Sequence, residues 1–378
     1  MQKISFIFGT RPEAIKLAPL IRLLKQDPFF KVEVCTTGQH REMLQQVLDI
    51  FGIKPDTDLA LMVHNQELPD FLARSIAALN KHLEKSKPDY VIVQGDTSTV
   101  LAASMSAFYH KIKVLHVEAG LRTADLYSPF PEEMNRRLTS QLSFFHFAPT
   151  LTAATNLLNE GIPENKILIT GNTSIDAIKY TTQKLEAGEL KSSISNDVQE
   201  KLGKYSKMIL ITGHRRENFG DGFINICKAI NESAETHKDC LFIYPVHLNP
   251  NVHQVVFELL NNTENILLIP PQSYVEFVYL MMKSDIILTD SGGVQEEGPS
   301  FHKPILVMRE NTERPEGIAA GCSVLVGTSP ERITSKITKL LNDKTYYDTF
   351  RVAANPYGDG IASDKITAAI RNWSISPN

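Results

Sequence analysis

The stretch IILTDSGGVQEE, Ile286 to Glu297, joins a short β-forming run to a serine, two glycines and a helix-forming segment. A buried strand that breaks on glycine and passes at once into a helix is the repeating unit of a parallel α/β sheet. Gly292 and Gly293 allow a sharp turn and a close approach of backbone to ligand. Amides in the first turn of a helix lack partners within it, and the helix dipole adds positive character, so this turn can seat a phosphate. Ser291 can donate a hydroxyl there, and Glu297 can accept from a sugar hydroxyl. A serine-capped structural turn would use the same residues, so the rest of the chain has to decide.

Short apolar runs alternate with segments of helical period throughout the chain. In the first half the runs are Ile4–Phe8, Lys31–Cys35, Tyr90–Val93, Val114–Val117, Phe144–Ala148 and Ile167–Ile169, which predict a six-stranded doubly wound sheet. Between Leu185 and Lys207 the chain turns to Glu, Lys, Ser and Asn, placing a domain linker there or slightly earlier, near Gly171. A second series follows at Met208–Ile211, Cys240–Tyr244, Ile266–Ile269, Ile286–Thr289, Ile305–Val307 and Ser323–Val326. The fold class is therefore α/β, with two Rossmann-like doubly wound parallel-sheet domains, residues 1–171 and 172–363, facing a cleft. The segment 364–378 begins with helical period.

The 378 residues suit two domains of ordinary size, and 42% hydrophobic with 22% charged residues is a globular balance. A net charge of −4 provides no basic field for nucleic acid. Four dispersed cysteines without a CxxC pair predict buried free thiols in a reducing cytoplasm. No signal-peptide core or membrane-spanning run is legible, so a cytoplasmic protein is expected.

In open parallel sheets ligands bind beyond the carboxyl ends of the strands. Those positions carry Gly9-Thr10-Arg11, Gly95-Asp96, Glu118-Ala119-Gly120, Gly213-His214-Arg215, Pro270-Pro271-Gln272 and Asp290-Ser291-Gly292. In FGTRPEAIK, Phe8 to Lys16, a helix begins beside Pro12, and Arg11 and Lys16 near its start suit a diphosphate or a carboxylate. Neither GxGxxG nor GxxxxGK[ST] occurs in that run, which disfavours a dinucleotide dehydrogenase or a P-loop NTPase. Asp96 and Glu118 follow strands joined by one crossover and so share a rim, and Glu132 and Glu133 open a helix after a proline-rich loop. Carboxylates crowded on a rim can move protons near neutral pH. His214 can act as acid, base or phosphate donor, and Arg314 stands in a charged loop after the strand at Ile305. The histidines show no metal-ligand spacing, so no metal is expected.

Taken together, FGTRPEAIK, QHREML, GDT, HVEAGLRT, YSPFPEE, GNTSIDA, GHRREN, YPVHLNPNV, LTDSGGVQEE, TERPEG and NPYGDG resemble, in order and over nearly the whole chain, the non-hydrolysing UDP-N-acetylglucosamine 2-epimerases. The resemblance implies the GT-B type of two-domain architecture, a homodimer, no cofactor, and a C-terminal helix, 364–378, packing back on the first domain. It implies that Arg11, Lys16, Asp96, Glu118, His214, Gln272, Phe277, Ser291, Gly292, Gly293, Glu297 and Arg314 bind UDP-GlcNAc or UDP-ManNAc. Asp96, Glu118, Glu132 and His214 match the family's catalytic positions. Many bacterial members are activated by a second substrate molecule at the block matching Gln39, His40 and Arg41. The following loop here reads Val63-His64-Asn65-Gln66, without the arginine that contacts the activator.

The implied reaction inverts sugar carbon 2 by anti elimination of UDP, through a 2-acetamidoglucal, and re-addition of UDP. The rival readings are a hydrolysing 2-epimerase releasing ManNAc and UDP, a glycosyltransferase on the same scaffold, and a nucleotide-sugar sensor without turnover. The resemblance implies a place in surface-polysaccharide synthesis.

Overall fold

The computed structural model describes residues 1–38, 41–63, 66–123 and 125–375, with the side chains of 41–43, 374 and 375 also outside the description. The positions Gln39 and His40 and the side chain of Arg41, expected at an activator site, therefore fall outside it. The chain divides into two compact units, Met1–Ala177 with Tyr357–Asn378, and Ile178–Pro356.

The first unit is built on strands β1 (Gln2–Phe8), β2 (Phe30–Thr36), β3 (Thr57–Asp58), β4 (Tyr90–Gln94), β5 (Lys113–Val117), β6 (Phe145–Ala148) and β7 (Ile167–Ile169). They form one parallel sheet in the order β3-β2-β1-β4-β5-β6-β7. The sheet has seven strands where the sequence pattern predicts six. The additional one, β3, is two residues long, with Thr57 half-buried and Asp58 exposed, so it leaves no apolar signature. It is tied instead by Asp58, whose carboxylate accepts from Thr36 Oγ1 at 3.2 Å and from the Ala60 amide at 3.1 Å.

The connecting helices are α1 (Arg11–Gln26), α2 (Arg41–Ile50), α3 (Leu68–Ser86), α4 (Ser98–Tyr109), α5 (Glu132–Leu142) and α6 (Leu151–Asn159). All five residues of β4 are buried, as a central parallel strand covered on both faces requires. Leu79 and Leu83 of α3 and Val100, Ala103 and Ala107 of α4 close over Ile7, Val91, Val93 and Val114. Helix α7 (Thr173–Glu186) begins in this unit and ends in the other. The first unit extends past residue 171 because that turn of chain is bonded to the returning C-terminal segment. The Asn172 amide donates to Tyr357 O at 2.6 Å, and the Asp176 carboxylate accepts from the Ala362 and Ser363 amides at 3.2 and 2.7 Å.

The second unit carries helices α8 (Asn196–Lys204), α9 (Asp221–Thr236), α10 (Pro250–Leu260), α11 (Tyr274–Lys283), α12 (Gly292–Glu297), α13 (Pro315–Ala319), α14 (Pro330–Asn342) and α15 (Lys344–Arg351). Its strands are β8 (Lys207–Thr212), β9 (Cys240–Pro245), β10 (Ile266–Ile269), β11 (Ile286–Thr289), β12 (Ile305–Val307) and β13 (Ser323–Leu325), parallel in the order β10-β9-β8-β11-β12-β13. Phe223, Ile226 and Ile230 of α9, Val252 and Val256 of α10, and Ile333 and Ile337 of α14 pack on Ile209, Ile211, Phe242 and Leu288. Helix α16 (Ala362–Ile375) belongs to the first unit and packs on α1.

Both sheets reverse the direction of their strand order at one place, between β1 and β4 and between β8 and β11. The loops that follow those four strands diverge there and leave a crevice in each unit. Those loops begin at Gly9, Gly95, Gly213 and Asp290.

Candidate active site

In the first unit the crevice is organised by Glu13, which is only 1% exposed. Its carboxylate accepts from the Gly9 and Thr10 amides at 3.1 and 2.8 Å and from Thr97 Oγ1 at 3.0 Å, tying the end of β1 to the loop after β4. Burial pushes its pKa up to about 7 against the pull of these hydrogen bonds. A raised carboxyl pKa means the folded protein holds a proton that the unfolded chain has already released. Its stabilising contribution is complete below pH 4.5 and is lost as pH rises to about 7. Wild type should therefore lose on the order of 3 kcal/mol relative to Glu13→Gln over that interval, read as converging or crossing unfolding midpoints at pH 5 and pH 8.

Glu118, the first residue beyond β5, has φ of 62°, a left-handed conformation unusual for a side-chain-bearing residue and costing about 1 kcal/mol. That conformation accompanies an ion pair of its carboxylate with Lys16 and a 3.0 Å hydrogen bond from Asn172 Nδ2. Lys16, expected as a diphosphate ligand, is thus bound to a catalytic candidate. Asp96 faces Arg136 Nη2 at 2.6 Å, and Asn135 Nδ2 donates to its carbonyl at 2.9 Å. Arg136 also lies 3.4 Å from Glu133. His116 is fully buried, with Nε2 2.8 Å from Gly95 O. Burial pushes its pKa down to about 3, so the ring is neutral and Nε2 carries the proton that the carbonyl accepts. His116 thereby fixes the glycine before Asp96.

The acidic pair at the start of α5 divides its roles. Glu133 is fully buried and bonded to the Thr123 amide at 3.1 Å and to Arg137 Nε at 2.8 Å, which makes it a structural tie. Glu132 remains half-buried at the first position of the helix. Arg11 is half-buried at the first position of α1.

In the second unit Asp290, fully buried, holds the other crevice. Its Oδ2 accepts from the His214 and Arg215 amides, both at 2.8 Å. The His214 ring lies parallel to His247, with centroids 5.0 Å apart, and its Nδ1 stands 3.8 Å from Asp290 Oδ1. Burial lowers the His214 pKa and His247 and Arg215 add to this, while Asp290 opposes them. Ser291 precedes α12, whose six residues continue as a tighter turn over Gly298–Phe301. So short a helix has little dipole, and neither Gly292 nor Gly293 has the positive φ that a sharp turn would demand. The reason for glycine at 292 is contact: a Cβ there would sit 3.0 Å from Arg314 Cζ.

Arg314 lies over that glycine with Nε 2.9 Å from Glu296 and Nη1 3.2 Å from Glu313. Although burial opposes ionisation of Glu313, hydrogen bonds from Arg309 and the charges of Arg314, Arg309 and Arg215 push its pKa down to about 2. Gln272 and Phe277 are half-buried, at the loop before α11 and on that helix; Gln272 Nε2 donates to Pro270 O at 2.6 Å. Glu297 is half-buried at the end of α12.

Sequence reasoning did not single out Glu13, Arg136 or Asp290 for these roles. Glu13 was legible as the partner of Thr10 in a T-x-x-E capping pattern. Arg136 was not, because nothing local links it to an aspartate 40 positions away. Among the described residues no cluster of His, Cys, Asp and Glu could hold a metal, and no helix is long and apolar enough to cross a membrane.

Residues 22–371 match the family model Epimerase_2, described as UDP-N-acetylglucosamine 2-epimerase. The UDP-N-acetylglucosamine 2-epimerase of Escherichia coli K12 is 51% identical over 375 residues, covering 99% of this chain and 100% of that protein. The crystal structure of UDP-GlcNAc 2-epimerase from Neisseria meningitidis bound to UDP-GlcNAc superposes with a TM-score of 0.88 at 49% identity, covering 98% of this chain and 100% of that one. A co-structure of S. aureus MnaA with UDP has a TM-score of 0.88 at 44% identity, covering 99% of this chain and 97% of that one. With two doubly wound sheets, the expected residues at their switch points and this likeness over the full length, the chain belongs to the UDP-N-acetylglucosamine 2-epimerase family.

Proposed function

We propose that this chain interconverts UDP-N-acetylglucosamine and UDP-N-acetylmannosamine without net hydrolysis, as a cytoplasmic homodimer serving surface-polysaccharide synthesis. The observation that carries the chemistry is the pair of acids, Asp96 and Glu118, at the ends of adjacent strands β4 and β5, each held beside a cation. A carboxylate takes the carbon 2 proton while the bond from carbon 1 to the phosphate oxygen breaks. UDP departs, leaving a 2-acetamidoglucal. Protonation of carbon 2 from the opposite face and re-addition of UDP at carbon 1 complete the inversion. The sugar ends at its starting oxidation level, so no hydride acceptor is consumed.

The carbon 2 proton is weakly acidic, so the barrier falls only if base and leaving group are both pre-positioned. The second unit supplies the leaving-group side. Arg314, Ser291 with the following amides, and His214 offer donors to the diphosphate, Glu297 accepts from the ribose, and Phe277 and Gln272 flank the base. Arg11 and Lys16 of the first unit add charge. Glu132, at the start of α5, completes the acid set.

Incubation with UDP-GlcNAc in D₂O should place deuterium at carbon 2 of both UDP-sugars, followed by NMR. Unlabelled UDP-ManNAc would sink the elimination route. Accumulation of free ManNAc with UDP in place of UDP-ManNAc would establish the hydrolysing alternative. Gly292→Ala provides a second check on the nucleotide side. Its Cβ must push Arg314 aside, so UDP affinity should weaken about tenfold by calorimetry, the effect of misplacing one charge-assisted contact. Unchanged affinity would remove Arg314 from the nucleotide site.

A further inference from the structure

Asp290 leaves one feature unexplained by its role as a loop tie. Its Oδ2 is saturated by the His214 and Arg215 amides at 2.8 Å, with Asn218 Nδ2 at 3.5 Å. Its Oδ1 is buried and has no hydrogen-bond partner. A buried carboxylate oxygen without a donor is costly, and a tie of the loop alone would be served by an asparagine. The ring of His214 brings a donor close to it: Nδ1 stands 3.8 Å away on a side chain still 45% exposed. The carboxylate is pinned by the backbone on one side, while the ring can swing.

We infer that Asp290 is a positioning residue for His214: its vacant Oδ1 receives the Nδ1–H of that ring when nucleotide is bound, fixing Nε2–H towards the departing diphosphate. The inference rests on the proposed elimination of UDP. As the bond from carbon 1 to the phosphate oxygen breaks, the proton on Nε2 passes to that oxygen; on re-addition the same proton returns to Nε2. Asp290 takes no part in the proton transfer itself; its Oδ1 holds the imidazolium that each cycle restores. The groups facing the ring are Asp290, His247 and Arg215, of which Asp290 alone favours the charged form. His247 lies parallel to the ring, with centroids 5.0 Å apart.

The test needs a readout that a structural tie would not move. Histidine-labelled protein with UDP bound, assigned with His214→Asn, should show by long-range ¹⁵N NMR an Nδ1-protonated His214 that titrates at higher pH than in Asp290→Asn. In Asp290→Asn the amide oxygen can keep both backbone donors while its NH₂ faces Nδ1, so the fold and UDP affinity should hold. Its kcat should fall about 10²-fold, the usual worth of a positioned acid–base group. In the His214→Asn background the same change should cost less than about twofold, because the two residues act as one unit. A His214 in the wild-type UDP complex with bare Nδ1 would overturn the inference without recourse to any variant. So would equal kcat losses in both backgrounds. If wild type instead forms no UDP-ManNAc, the proposed function fails, while the tautomer measurement still decides the pairing.

Discussion

Asp96→Asn is expected to lower kcat for UDP-ManNAc formation by about 10³-fold or more while leaving UDP affinity within about threefold, because it removes a proton acceptor and keeps its shape. Asp96 is held by Arg136 at 2.6 Å and by Asn135 through its carbonyl, so the asparagine would occupy the same place and the loop would not collapse. Arg136 has a second partner in Glu133 at 3.4 Å, and the change therefore leaves no isolated buried guanidinium. The measurement is a steady-state rate by NMR beside UDP titration calorimetry. A variant turning over within a factor of ten of wild type would remove Asp96 from the catalytic set and direct attention to Glu118 and Glu132. Deuterium exchange at carbon 2 surviving without epimerisation would instead assign Asp96 to the second proton transfer.

Gly120→Ala should have the largest effect on stability. Gly120 has φ of 89°, and a Cβ there would lie 2.2 Å from the Ala153 carbonyl oxygen and 2.8 Å from its carbon. Both atoms are backbone of α6, which is locked by the Thr150 cap and by the pairing of Asn156 Nδ2 with Gly120 O at 2.9 Å. Neither partner can yield as a side-chain tip would, so a loss of about 4 kcal/mol and a fall of roughly 10 °C in Tm are expected. Gly161→Ala is the control: its φ is 83° but a Cβ would meet nothing within 4 Å, so only the conformational cost of about 1 kcal/mol remains. Equal losses in the two variants would show that backbone conformation, rather than the approach of α6, governs Gly120. Because Gly120 follows Glu118 by two residues, a soluble Gly120→Ala protein should also lose activity.

The legible part of the molecule was what a residue's near neighbours in sequence determine. Runs such as Tyr90–Val93 and Ile266–Ile269 could only be buried strands, and the helices between them follow from apolar spacing and caps such as Thr97 and Ser329. β3 escaped because two residues held by Asp58 carry no period. The glycines of the Ser291 turn were legible as a place where something comes close, but that something includes the arginine at 314, which local pattern cannot bring there.

The α/β class, the two sheets and the polar residues at the ends of their strands are written into short stretches of the chain, since they depend on periodicity and turn chemistry over a few residues. Which of those residues meet depends on how the strands are ordered in space. Strand order places β1 beside β4 and β8 beside β11, and that adjacency ties Glu13 to Thr97 and sets Asp290 beside His214. It is chosen by the burial of whole sheets under their helices, a sum over many distant contacts that no short window contains.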